Sequence, residues 1–390
     1  MKPLKISMKE FYILLGGALS VVVTVLIWNF SAPPISVVQV GPDGAAMEIV
    51  INEETLAEIE RVNNEYPPSI PPASPDGPRA SEVYQNVQVL GDLSTGQFTR
   101  LMLAITQWVA PKEGPESQVG CNYCHNAANM ASDEKYAKHV ARRMIQMTQH
   151  INAEWKSHVG NVGATCYTCH RGQPVPSYVW YKEPPHAQEA RGAGGRAQQN
   201  RASAAVGLAS LPGNVFETYL LEDNNIRVIG HTPLPTGNSS SIKQTEWTYG
   251  LMMHFSNALG VNCTYCHNSR AMAMWNQSPP ARAKAWYAIR MLRSVNGEYT
   301  APLVDRYPDY RLGPTGDAPK ANCYTCHQGA YQPMLGYKML EDYPSLSAPD
   351  YYAEYANEYR KKEKAKAEAA AALEAQEEAG EDGEAAPVAN

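Results

Sequence analysis

Cys121-Asn-Tyr-Cys124-His125, Cys166-Tyr-Thr-Cys169-His170, Cys263-Thr-Tyr-Cys266-His267 and Cys323-Tyr-Thr-Cys326-His327 use every one of the eight cysteines in this 390-residue chain. Two thiols three residues apart reach the two vinyl groups of one haem and form thioethers, and the histidine that follows meets the iron from one face. A zinc site or a redox dithiol also uses Cys-x-x-Cys, but neither needs histidine after the second cysteine each time. Four repeats that leave no cysteine over for a disulfide or a lipid anchor predict four covalently attached haems c, with His125, His170, His267 and His327 as proximal ligands.

Composition agrees with that reading. The chain is 44% apolar, enough for a real core, and its 29 prolines and 28 glycines suit short helices joined by irregular chain around bulky cofactors. A net charge of −6 argues against a nucleic-acid partner. Covalent haem attachment takes place on the outer face of an energised bacterial membrane. At the N-terminus Lys2, Lys5 and Lys9 precede an apolar run from Phe11 to Phe30, about 20 residues and so long enough to span a bilayer. Ser-Ala-Pro at 31–33 is a poor cleavage site, so a retained single-pass anchor is expected, with residues 1–10 cytoplasmic and the haem domain periplasmic.

The rest divides by composition. Residues 31–80 are proline-rich and read as extended. Haem-bearing halves follow at 81–185 and 210–345, separated by an Ala/Gly/Gln/Arg-rich linker at 186–209. The acidic Ala/Glu/Lys-rich tail at 346–390 reads as disordered. The halves repeat each other. Units one and three each carry Leu-Met upstream, at Leu101-Met102 and Leu251-Met252, then Cys-x-Tyr-Cys-His-Asn. Units two and four share Cys-Tyr-Thr-Cys-His-x-Gly, after helices ending Ile151-Asn-Ala-Glu-Trp155 and Val295-Asn-Gly-Glu-Tyr299. The expected fold is mainly α, a multihaem cytochrome c with a pseudo-twofold repeat of haem-binding units.

Each iron needs a sixth ligand, and methionine there gives a higher potential than a second histidine. Met252 is favoured for the third haem, with Met253 and His254 competing from other helix faces. Met102 takes the same position for the first, 19 residues before Cys121 against 11 from Met252 to Cys263. Met144 serves the second. Alignment of the Asn-x-Glu-aromatic helix ends puts Met147 on Met291 but Met144 on Ala288, so unit four lacks a methionine of its own and borrows His158, whose counterpart is Pro302. Three His/Met haems and one bis-His haem are expected.

These residues resemble the tetrahaem cytochrome subunit of purple-bacterial photosynthetic reaction centres. The match runs from about 80 to 345 through Phe98-Thr-Arg-Leu-Met102, Ala141-Arg-Arg-Met144, His158 with Cys166-Tyr-Thr-Cys169-His170-Arg-Gly, Leu259-Gly-Val-Asn-Cys263 and Ala285-Trp-Tyr-Ala-Ile-Arg290. The resemblance implies an electron carrier and no enzyme. Electrons would pass from a soluble periplasmic donor, a cytochrome c or a high-potential iron–sulfur protein, to the photo-oxidised bacteriochlorophyll special pair. It implies core subunits L, M and H as partners, with antenna subunits possible neighbours, and a third haem nearest the special pair. Arg282 resembles the family's arginine at that junction. The chain departs from the pattern in having no N-terminal lipid-anchor cysteine and a longer Met102–Cys121 segment. The competing class is a membrane-anchored quinol-oxidising tetrahaem cytochrome, typically shorter and richer in histidine ligands. A multihaem reductase would need an open iron position, which the supply of one Met or His per unit argues against.

Overall fold

A computed structural model describes residues 7–29, 35–39, 48–184, 203–228 and 241–347, together with 365 and 368. Most of the linker and nearly all of the tail read from composition lie outside these residues. The described chain is mainly helical. Its first helix, Met8–Asn29, spans about 33 Å at 1.5 Å per residue and is apolar enough to cross a membrane over Met8–Ile27, with none of that stretch buried. It starts three residues before the predicted Phe11 boundary because Ser7 and Glu10 cap each other reciprocally, backbone to side chain.

Residues 31–80, expected to be extended throughout, are more structured than their prolines suggested. Ile35–Gln39 and Glu48–Asn52 pair antiparallel, Ile35 opposite Asn52 and Gln39 opposite Glu48. Asn52 then caps helix Glu53–Asn63 by accepting from the Thr55 N–H. β-branched residues in both strands win locally, and most prolines fall later, in the irregular stretch 64–79.

Four longer helices position the haem strings. Thr95–Val109 carries Met102 and opens with a Ser94/Gln97 capping box, and Ile242–Leu259 carries Met252 and opens with the matching Ser241/Gln244 box. Tyr136–Glu154 carries Met144, and Pro280–Ser294 starts with proline in its first turn and carries Ala288.

The cores do not respect the 81–185 and 210–345 boundaries. Leu101, Trp108, Ile145 and Cys166 of the first half pack with Met334, Met339, Tyr343 and Leu346 from the end of the second. In return, Trp180 joins Phe216, Tyr219, Leu251, Phe255 and Cys323 and pairs its backbone with Lys320. Arg100 reinforces the first exchange, donating to the carbonyls of Ile70, Pro71 and Asp342. A third cluster, Ile151, Trp155, Met291 and Val295, joins the halves. Composition marks linkers but cannot mark exchanged termini.

Gly260 ends the Met252 helix at φ +65°, and a Cβ there would lie 2.1 Å from the Gly329 carbonyl oxygen. Gly260→Ala is therefore expected to cost at least ~1–2 kcal/mol for the left-handed backbone alone, with the clash added. A thermal melt of the purified protein should show a clear drop in Tm, and an unchanged Tm would refute the close approach.

Candidate haem-binding site

The four Cys-x-x-Cys-His strings fold in two ways. Those of units two and four are short α-helices, Cys166–His170 and Cys323–His327, each ended by a left-handed residue, Arg171 at φ 50° and Gln328 at φ 47°. Those of units one and three are 3-10 turns, at Gly120–Tyr123 and Cys263–Tyr265. The glycine after each left-handed residue docks on a methionine-bearing helix. The Gly172 N–H donates to Trp108 O and the Gly329 N–H to Ala258 O, both at a distance of six residues from Met102 and Met252.

Asparagines hold the approach to units two and four. Asn152 donates to the carbonyls of Ala164 and Leu346 and accepts from the Ala164 N–H. Asn296 does the same with Leu220, Ala321 and the Ala321 N–H. Ala164 and Ala321 each stand two residues before the first cysteine of their string. The helix-end alignment had brought these two asparagines together as letters, but their role appears only in three dimensions. Asn152→Leu would strand the buried Leu346 carbonyl and the partly buried Ala164 N–H and carbonyl, an expected loss of roughly 2–4 kcal/mol that a thermal melt would detect. A melt within error of the parent would remove Asn152 from this role.

Five imidazoles are held through Nδ1 by backbone carbonyls. His125 Nδ1 bonds Met130 O at 2.9 Å and His267 Nδ1 bonds Met272 O at 2.8 Å. His170 Nδ1 bonds Gln173 O at 2.8 Å and His327 Nδ1 bonds Ala330 O at 2.9 Å. His158 follows suit, Nδ1 to Lys284 O at 3.0 Å. A backbone acceptor on Nδ1 fixes the tautomer and leaves Nε2 for a metal. Burial pulls the His170 and His327 pKa values down to about 4 and lowers those of His158 and His267, so these four are neutral near pH 7, as ligation requires.

His158 and His327 come together with ring centres 6.0 Å apart, so both would be available to hold one haem iron. Lys284, which supplies the carbonyl for His158, lies one turn before Ala288, the position where unit four has no methionine. The small residue leaves that helix face open to a ligand from elsewhere.

A cavity of about 1700 Å³ is lined by Cys166, Cys169, His170, Cys263, Cys266, His267, Cys323, Cys326 and His327, with Met144, Met252 and His158 on its walls. A pocket for one small ligand runs to roughly 300–1,000 Å³, so this one has room for several bulky groups. Met252 lines it, whereas the competing His254 is buried and edge-on to Phe216 at 4.5 Å. Met144 and Met147 both line it. Arg282 lies on the wall, donating to Met272 O and Ser278 Oγ and stacked over Trp275 at 4.3 Å, with burial lowering its pKa. The first unit reaches this cavity at its edge, through Ile105 and Val109 of the Met102 helix and through Tyr123 and Cys124. There the Met102 helix meets its string through Thr106, whose Oγ1 lies 4.0 Å from Cys121 Sγ, one turn on from Met102.

Burial raises Cys124 and Cys266 to about 11 and Cys166 to about 12, opposite to the lowered values of redox dithiols, whereas Cys326 is lowered by its hydrogen bond with Cys169, Sγ to Sγ at 2.6 Å. Among the described residues no cluster of three or more His, Cys, Asp or Glu could hold a metal ion directly. Apolar walls, paired thiols and imidazoles with Nε2 left for iron together fit covalently bound haem.

The comparisons agree. The family described as photosynthetic reaction centre cytochrome C subunit matches residues 31–347. A protein named photosynthetic reaction center cytochrome c subunit from Rubrivivax gelatinosus is 51% identical over 333 residues, covering 85% of this chain and 89% of the relative. Proteins of the same name from Thermochromatium tepidum and Roseobacter denitrificans are 46% and 42% identical, covering 84% and 80% of this chain and 79% and 85% of the relatives. The chain belongs to the photosynthetic reaction-centre cytochrome c subunits, electron carriers with covalently bound haem c.

Proposed function

We propose that this subunit holds four haems c and relays electrons from a soluble periplasmic donor, a cytochrome c or high-potential iron–sulfur protein, to the special pair of a core made of L, M and H. The thioether pairs are Cys121/Cys124, Cys166/Cys169, Cys263/Cys266 and Cys323/Cys326. The axial pairs are His125/Met102, His170/Met144, His267/Met252 and His327/His158. The single observation that carries this reading is the crossing of His158 to His327, beside the unit-four helix that has alanine in place of methionine.

Haem iron supplies one-electron chemistry when bound. The chain supplies neutral imidazoles oriented by backbone carbonyls, apolar walls that exclude water, and helices that keep the units adjacent. Matching hydrogen bonds from Asn152 and Asn296, and from Gly172 and Gly329, support an origin by duplication with a pseudo-twofold relation. The helix Met8–Asn29, with Lys9 in its first turn and Lys2 and Lys5 before it in sequence, supports a single-pass anchor whose flank stays cytoplasmic and whose haem domain is periplasmic.

The test is flash-induced absorbance change of the haem α-bands in membranes containing the protein. Haem oxidation within microseconds, matched to re-reduction of the special pair, is the expected result. A cytochrome that stays reduced and flash-silent beside active reaction centres would overturn it in favour of quinol-linked electron transfer.

A further inference from the structure

Lys138 is a lysine in an unusual place. It is 7% exposed, on the Tyr136–Glu154 helix, and its ammonium group donates to three successive carbonyls, Met130 at 3.0 Å, Ala131 at 2.9 Å and Ser132 at 2.8 Å. Asp133 faces it at 3.3 Å but also holds Arg142 at 2.9 Å, so two cations share one carboxylate. The Asp133 carboxyl is held well below its ordinary range, chiefly by the Arg142 hydrogen bond, and stays ionised. The first of the three carbonyls, Met130, is the one that accepts the Nδ1–H of His125.

We propose that Lys138 is a positioning residue for the first haem, acting through this shared carbonyl to raise its reduction potential. The inference rests on the ligand assignment above, with His125 and Met102 on that iron. A strong acceptor on Nδ1 pushes electron density through imidazole onto iron and favours the oxidised state. An ammonium bonded to the same oxygen draws that density away. Its own positive charge, held in a poorly solvated site, also disfavours the extra charge of the oxidised haem. Both effects have the same sign. Unit three has the same design with a different cation: Met272 O accepts from His267 and from Arg282 Nη1, at 2.8 and 3.2 Å.

The test is a redox titration of the full complex that resolves the four α-bands, with the first haem assigned by the band that Met102→His displaces. Lys138→Met is expected to lower that midpoint alone, a change of about tenfold in the oxidised-to-reduced ratio at fixed solution potential, equivalent to about 59 mV for one electron. Lys138→Arg should keep it. An unshifted first band in Lys138→Met with all haems attached, or an equal shift of all four, would overturn the proposal. If Lys138→Met loses haem, Asp133→Asn decides. Removal of the counter-charge should raise the first midpoint, and no rise rejects the idea. A titration in which Met102→His displaces no band would instead refute the ligand assignment.

Discussion

In His158→Met, the haem attached at Cys323 and Cys326 is expected to titrate higher by on the order of 0.1–0.2 V, within the ~0.8 V range over which axial ligands set haem potentials. Thioether sulfur favours reduced iron more than imidazole does. The size of the effect follows from how completely the site is built around imidazole. His158 is fixed through Nδ1 by Lys284 O and faces His327 at 6.0 Å, and the helix there has Ala288 at the position where the unit-two helix has Met144. Only one of the four midpoints should move. Potentiometric titration of the α-bands reads it directly, and four unmoved midpoints would remove His158 from the ligand set. A companion variant sharpens the point. With His158→Ala, the added change Ala288→Met should restore a six-coordinate spectrum, because unit four would then carry methionine where unit two carries Met144.

The opposite change is expected at the third site. Met252→His should lower that haem's midpoint by on the order of 0.1–0.2 V. At a fixed ambient potential the haem is then mostly oxidised before the flash, since each 59 mV is tenfold in a one-electron ratio. The fraction of centres showing fast haem oxidation should fall accordingly and recover when the ambient potential is lowered. Met252 lines the cavity with Cys263, Cys266 and His267, so imidazole at this position meets the same space. An unchanged titration would show that the third haem takes its ligand from elsewhere.

The haem strings were legible because thioether chemistry is written in local spacing, and Met252, on the helix that leads into Gly260-Val-Asn-Cys263, lines the same cavity as Cys263 and His267. The vacancy at Ala288 in the sequence repeat pointed to His158, and the structure brings that ring to 6.0 Å from His327. The pairing of Ile35–Gln39 with Glu48–Asn52 was masked by nearby proline, which dominates composition without governing the six Val and Ile residues of the two strands. Asn152 and Asn296 could be aligned but not understood, because their partners are backbone atoms. The carbonyl of Met130 and its lysine were invisible for the same reason. The packing of Met334–Leu346 on the first half joins residues far apart in sequence, and no local pattern records such contacts.

That exchange of termini sets a timetable. The first half cannot finish its own core until the chain has been made as far as Leu346, since Asn152, Gln149 and Thr165 all wait for partners at Leu346, Ser345 and Met339. A chain ending before residue 334 would lack the Ser345, Leu346 and Met339 groups that bind Gln149, Asn152 and Thr165 beside Cys166.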